Sequence, residues 1–244
     1  MIVKELLNIC DQISPFNTQE TWDNSGLIVG DPNAAISQIY LSLEADKKVI
    51  DTLSENAALI VHHPLIFAPL KSLNFSEYPA LLIRDIIQKN AALIAMHTNF
   101  DKSHLNRYVA KEVLGWQEFD CEGCVCYHKT RFSFERIMEI IKAAFGGVRS
   151  VLPPLCREEY RVAFCCGSGG GLIGEIECDI LITGDLKYHD AIKAKTLGIG
   201  VIDAGHYETE RFLGKALQKE LSKYDIQSEI ISSQNPLAAH NDID

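Results

Sequence analysis

The chain has 244 residues, 47% of them hydrophobic, and a formal charge of −10. That length fills one large core or two smaller ones, and the acidic balance argues against nonspecific nucleic-acid binding, which requires a basic face. A charged nucleotide remains open as a substrate, because a bound cation reverses the local field.

Residues 1–12 read as an amphipathic helix, with Val3, Leu6, Leu7 and Cys10 at helical spacing. Lys4, Glu5 and Asp11 interrupt any run long enough for a signal peptide or membrane span, so a cytoplasmic protein with no membrane partner is expected. Trp22-Asp23-Asn24-Ser25-Gly26 reads as a turn whose spacing assigns no chemistry. Short apolar runs at 39–43, 57–61, 91–96, 161–166, 179–183 and 200–204 read as buried strands. Helical patterns lie at 47–56, 78–90, 134–145, 190–197 and 209–224. This alternation predicts an α/β fold with mixed, largely parallel sheets.

One echo recurs within the chain. Asn56-Ala57-Ala58-Leu59-Ile60 returns as Asn90-Ala91-Ala92-Leu93-Ile94, and the two copies carry His63 and His97 at the same offset. The echo covers one strand and does not continue, so it marks two successive βα units rather than a solenoid. Apolar periodicity lapses between about 116 and 131, which divides the chain into an N-terminal lobe (1–122) and a C-terminal lobe (123–244), the last helix being free to pack back on the first. Cys121, Cys124 and Cys126 fall in this lapse near His128. Without a secretory signal they read as reduced thiols, and a structural zinc site would need a second cysteine pair that Cys165-Cys166 matches poorly.

Ligands gather at the carboxyl ends of strands in open α/β sheets, and here histidines follow three predicted strands: His62-His63, His97 and His206. Neighbouring side chains on an extended backbone point apart, and Pro64 favours extension at His63. Adjacent histidines would therefore chelate one ion poorly but suit two. Asp101 lies four residues after His97, and a helix beginning after Met96 would put both on one face. His206 and Glu210 share the i, i+4 spacing on a first helical turn, an arrangement that holds divalent metals, and Glu210 has two oxygens to offer. Glu208 reads as a helix N-terminal charge. Asp185 and His189 repeat the spacing after the strand at 179–183 and read as pocket-lining acid–base residues or as caps. The glycine-rich string from Gly167 to Gly174 has the form of a phosphate-binding turn, but no helix follows where a dinucleotide site needs one, so it reads as a tight turn.

In this order, Trp22–Gly26, His62–Phe67, His97–Asp101, Thr183–Asp190 and His206–Glu210 resemble the motifs of the GTP cyclohydrolase 1 type 2 family, also called Nif-three-like proteins. Phe100 and Thr209 depart from the leucine and serine frequent there. The resemblance implies two α/β lobes, a toroidal homohexamer, and two divalent metal ions per chain. By position, His63 and Asp101 would hold one ion, His62 and His206 the other, with Glu210 bridging and His97 close by. It also implies conversion of GTP to 7,8-dihydroneopterin triphosphate and formate. For such a reaction we expect metal-assisted hydrolysis in which His97, Asp185 or His189 could shuttle protons. The ligand set suits zinc, iron, manganese or nickel. Two rival readings keep the same ligands: a dinuclear phosphoesterase or nucleotidase, and a non-enzymatic metal-binding scaffold or regulatory protein.

Overall fold

A computed structural model describes residues 1–153 and 157–237. The chain divides into two units, residues 1–99 with 213–244, and residues 100–212. The division falls at Asn99 and Phe100 rather than between 122 and 123. The physical reason is the helical run beginning at Thr98, whose later part packs on strands of the second unit. From Leu213 the chain belongs to the first unit.

In unit 1, Val3, Leu6, Cys10 and Ile13 share a buried face, which fixes α1 (Val3–Ile13). Ile2 N–H donates to the Glu5 carboxylate at 2.9 Å and tethers the helix start. The sheet runs β1 (Gly26–Val29), β4 (Ala92–Ala95), β3 (Ala58–Val61), β2 (Ile39–Ser42), β11 (Glu229–Ile230). β1 is antiparallel to β4, and the other pairings are parallel. Every residue of β2, β3 and β4 is buried, as expected of parallel strands covered on both faces. The helices α2 (Lys47–Thr52) and α3 (Ala80–Gln88) supply Val49, Ile50, Leu82, Ile83 and Ile86 to the core around Leu59, Val61 and Leu93.

The sequence echo maps onto adjacent strands in register: Ala58 pairs with Ala92, Leu59 with Leu93 and Ile60 with Ile94. Its first residues, Asn56 and Asn90, both take left-handed backbone, a conformation asparagine tolerates better than most side chains. The Asn90 side-chain amide donates to that of Asn56 at 2.7 Å. The echo thus repeats a turn, a strand and a histidine at the strand's end.

Unit 2 holds a six-stranded sheet in the order β5 (Asp120–Glu122), β6 (Val125–Thr130), β8 (Tyr160–Ser168), β9 (Ile180–Gly184), β10 (Gly200–Asp203), β7 (Arg149–Val151). Only β8–β9 and β9–β10 are parallel; the outer pairings are antiparallel. From Thr98 the chain runs helically through α4 (Thr98–Phe100), π-type turns over Asp101–Leu105, α5 (Asn106–Tyr108) and a second π-type stretch over Val109–Val113. Such turns often accompany functional sites. Among the described residues, the α-helices α6 (Phe134–Phe145), α7 (Tyr188–Leu197) and α8 (His206–Glu210) follow in this unit. Beyond them, α9 (Leu213–Leu221) belongs to unit 1.

The lapse in periodicity between 116 and 131 is the β5–β6 hairpin, in which β5 is short and mostly exposed and β6 is buried only at Val125 and Cys126. Its register places Cys121 opposite Cys126, and these two are joined in a disulfide rather than held as reduced thiols. His128 stacks on Trp116 with ring centroids 5.0 Å apart, and its Nδ1 lies 2.8 Å from the Glu118 carbonyl oxygen. Among the described residues, no helix is long and apolar enough to cross a membrane.

Candidate metal centre

In unit 1, β3 ends at Val61, and the backbone N–H groups of His62 and His63 both point to the Leu43 carbonyl, at 3.1 and 3.4 Å. Sharing one acceptor requires a bent backbone. The two rings therefore converge, with centroids 4.9 Å apart, instead of pointing to opposite sides as an extended strand would demand. His97, at the end of neighbouring β4, brings its ring to 4.9 Å from His62 and 5.2 Å from His63. One nitrogen from each of these three histidines lies within 4.8 Å of the other two.

Each ring has its Nδ1 fixed by an oxygen. His62 Nδ1 is 3.0 Å from the Met96 carbonyl, His63 Nδ1 is 2.6 Å from the Glu44 carboxylate, and His97 Nδ1 is 2.8 Å from Asp23. An oxygen acceptor at Nδ1 holds the proton there and leaves the Nε2 lone pair for a metal ion, the arrangement that accompanies most metal-ligating histidines. Asp23 has no exposed side-chain surface. Burial pushes its carboxyl pKa up, but hydrogen bonds from His97 and Thr98 outweigh that penalty and hold it below the usual carboxylate range. Both the backbone N–H and the hydroxyl of Thr98 donate to it.

The turn carrying Asp23 is over-determined by such bonds. Glu20 N–H donates to the Thr98 hydroxyl at 2.9 Å, Ser25 N–H to the Gln19 side chain at 2.6 Å, and the Asn24 amide to the Ile66 carbonyl at 2.6 Å. The Ser25 hydroxyl also receives the His97 N–H at 3.2 Å.

In unit 2, α8 begins where β10 ends. Buried Asp203 organises the junction: its carboxylate accepts from Gly205 N–H at 3.2 Å, Leu186 N–H at 3.3 Å and Arg149 at 2.5 Å. His206 and Glu210 stand side by side on α8, with Nε2 and Oε2 2.9 Å apart, and His206 Nδ1 lies 2.6 Å from the Asp185 carboxylate. Asp185 takes left-handed backbone and precedes α7, so it does not share a helix face with His189. His189 is exposed, its ring 5.4 Å from that of Tyr188. Asp101, on the π-type turn, raises the pKa of the buried Cys166 thiol together with Glu210, after burial itself. Asp101 and Glu210 thus act on the same thiol.

Glycines give α8 its room. A Cβ on Gly184 would meet the backbone of His206 and Gly205 at 2.6–2.8 Å, and one on Gly167 would collide with the Glu210 carboxylate. Gly167 N–H also donates to the Thr209 hydroxyl at 3.0 Å, and Cys166 N–H to the Asn106 side chain at 2.7 Å. The glycine-rich turn therefore clears space for Glu210, while Asp190 crowds Gly170 and gives the turn an acidic neighbour unsuited to phosphate. Glu208 folds back over Gly205 at the helix start, where a carboxylate opposes the helix dipole favourably.

The predicted donors fall into two sets. His62, His63 and His97 come together in unit 1, whereas His206 and Glu210 adjoin in unit 2, where Asp101 also lies. Sequence reasoning did not single out Asp23, Glu44 or Asp203 as partners. Asp23 is 74 residues from His97 and Glu44 is 19 from His63, so no local spacing links them.

Comparison with known proteins gives a consistent result. The Duf34/NIF3 (NGG1p interacting factor 3) family matches residues 1–236. The chain is 42% identical over 237 residues to a Campylobacter jejuni protein named "GTP cyclohydrolase 1 type 2 homolog", covering 97% of this chain and 98% of that one. It is 40% identical to the Helicobacter pylori protein named "GTP cyclohydrolase 1 type 2", with the same coverage. Among solved structures, a Staphylococcus aureus hypothetical protein aligns at TM-score 0.84 with 24% identity, covering 98% of this chain and 99% of that one. Reduced HcgD from Methanocaldococcus jannaschii aligns at 0.81 with 26% identity, covering 95% and 97%. The two-sheet α/β fold, the ordered motifs and the near-complete family match agree that this chain belongs to the Duf34/NIF3 family.

Proposed function

We propose that the protein is a dinuclear metal-dependent hydrolase that converts GTP to 7,8-dihydroneopterin triphosphate and formate. The observation that carries this reading is that an oxygen holds the Nδ1 of His62, His63 and His206, an arrangement that would present each Nε2 to a metal ion. His62, His63, Asp101, His206 and Glu210 would hold two divalent ions; zinc, iron, manganese and nickel all suit nitrogen and carboxylate oxygen. When bound, such ions act as Lewis acids and lower the pKa of water toward neutrality.

The chain's own residues then have separable tasks. Glu44 and Asp185 keep the protons of His63 and His206 on Nδ1, and Asp23 does the same for His97. With Asp185 committed to His206, its task is positioning rather than free acid–base exchange. His97 holds or moves a proton at Nε2 beside the His62 and His63 rings, and exposed His189 exchanges protons with solvent. The names borne by the C. jejuni and H. pylori relatives supply the nucleotide substrate. The same reading takes the protein as a cytoplasmic homohexamer, which light scattering would measure.

The test is elemental analysis of protein purified without added metal, beside incubation of metal-loaded protein with GTP. Two ions per chain, formate release and a fluorescent pterin after oxidation and dephosphorylation are expected. Phosphate release without formate would replace the reaction by phosphoester hydrolysis. Stoichiometric metal with no turnover of any nucleotide would leave a scaffold.

A further inference from the structure

The turn from Gln19 to Gly26 uses Asp23, Asn24 and Ser25 to bind itself to His97, Thr98 and Ile66. The side chain those bonds leave facing outward is Trp22, 61% exposed. Leaving so large an apolar surface in water is unfavourable, and a rigidly held turn has no means of tucking it away. Phe67 is a second such residue, 48% exposed, on the segment whose Ile66 carbonyl receives the Asn24 amide. Both rings lie close to perpendicular to the imidazole of the same histidine. Trp22 and Phe67 each lie 5.8 Å from His97, at interplanar angles of 74° and 78°.

Two exposed aromatic rings, held beside the His62, His63 and His97 cluster, match a subsite for a flat ring. From this placement we infer that Trp22, supported by Phe67, is a stacking platform for the fused heteroaromatic ring of the substrate. The inference rests on the hydrolase reading for the substrate's identity. It adds that the ring, and not only the phosphates, is recognised, and that Trp22 is the residue recognising it. Every base offers a π-face, so stacking selects for a planar heterocycle without selecting among them. A turn already rigid loses little conformational freedom on binding, so the contact contributes most of its strength to affinity.

The chain has two tryptophans, and Trp116 is buried against His128, so Trp22 emission reports on this site. Full-length protein would be titrated with guanosine, GTP and inorganic tripolyphosphate while tryptophan fluorescence is followed. Guanosine and GTP are expected to quench the emission and tripolyphosphate to leave it unchanged. By calorimetry, Trp22→Ala should weaken GTP binding by about 10- to 100-fold, the range of one base–aromatic stack. Trp22→Phe should retain most of the affinity, and both variants should load as much metal as wild type. Equal GTP affinity in Trp22→Ala and wild type would overturn the inference, as would quenching by tripolyphosphate but not by guanosine. Guanosine quenching requires no metal. A protein that binds guanosine at Trp22 yet loads no metal would support the platform while removing the hydrolase reading.

Discussion

The same histidine–carboxylate pairing occurs in both units, in opposite environments. In unit 1, Asp23 is wholly buried against His97 and the backbone of Thr98, whereas in unit 2 Asp185 is 47% exposed beside His206. Geometry is nearly equal, at 2.8 and 2.6 Å. The difference separates two things a carboxylate can do for a metal-binding histidine. Both fix the proton on Nδ1, but only the buried one also holds the fold together, because only there would losing it strand polar groups out of reach of water.

Removing the buried member should therefore have the largest effect. Asp23→Ala leaves His97 and two Thr98 donors without their acceptor in the interior. Each buried donor left without an acceptor costs about 1–3 kcal/mol, to be read by urea denaturation. Folding lowers the Asp23 pKa, so its stabilisation is complete above the ordinary carboxylate value of about 4 and fades as the pH falls through the lower folded-state value. The gap between wild type and Asp23→Ala should accordingly narrow below about pH 4. A gap that stays constant down to about pH 2 would show that Asp23 acts by packing alone.

The next effect tests how unit 2 positions its donors without burial. Gly184 faces the backbone of Gly205 and His206 rather than a yielding side chain. Gly184→Ala should push α8 away from β9 at a cost of about 1–3 kcal/mol, typical of overpacking. Metal affinity should fall with it, although no donor is altered. Wild-type affinity in this variant would mean that α8 has slack the backbone contact does not suggest.

These contrasts explain what could be read from the residues alone. The echo from Asn56 and Asn90 gave away β3, β4 and their histidines because the units repeat in register, and a period survives in sequence. His206 and Glu210 were legible because one helical turn relates them. Short or partly exposed strands escaped: β1, β5, β6, β7 and β11 bury too little to impose alternation. The bend at His62-His63 escaped because it depends on the Leu43 carbonyl, just past the end of β2. Asp23 and Glu44 escaped for the same reason, their histidines being remote in sequence. The glycine string was visible, but its purpose, clearance for Glu210, is a property of packing that no motif encodes.

The echo itself can be tested at its turns, where a smaller effect is expected. Asn90 lies in left-handed backbone and bonds to Asn56. Asn90→Ala should cost about 1 kcal/mol, because alanine keeps the Cβ but lacks the short polar side chain that eases this region, and Asn90→Gly only about 0.3 kcal/mol, because glycine takes left-handed backbone without strain. Equal losses in the two variants would assign the effect to the side-chain bond instead of the backbone.

The smallest change in stability should accompany a large change in metal binding, which closes the comparison. Asp185→Asn keeps a side chain that tolerates the left-handed backbone at this position and removes the charge facing His206. Because the pair is solvent-screened, stability should shift by less than about 1 kcal/mol. The amide holds the His206 proton on Nδ1 less firmly than a carboxylate does, so metal affinity in competition with a chelator should fall about 10- to 100-fold. Melting temperature and chelator competition measured on one preparation separate the two quantities. If Asp185→Asn loses stability as Asp23→Ala does, exposure is not what divides the units. If it loses neither stability nor affinity, His206 is oriented by α8 alone, and the glycines beneath that helix carry the whole task that the carboxylate shares in this account.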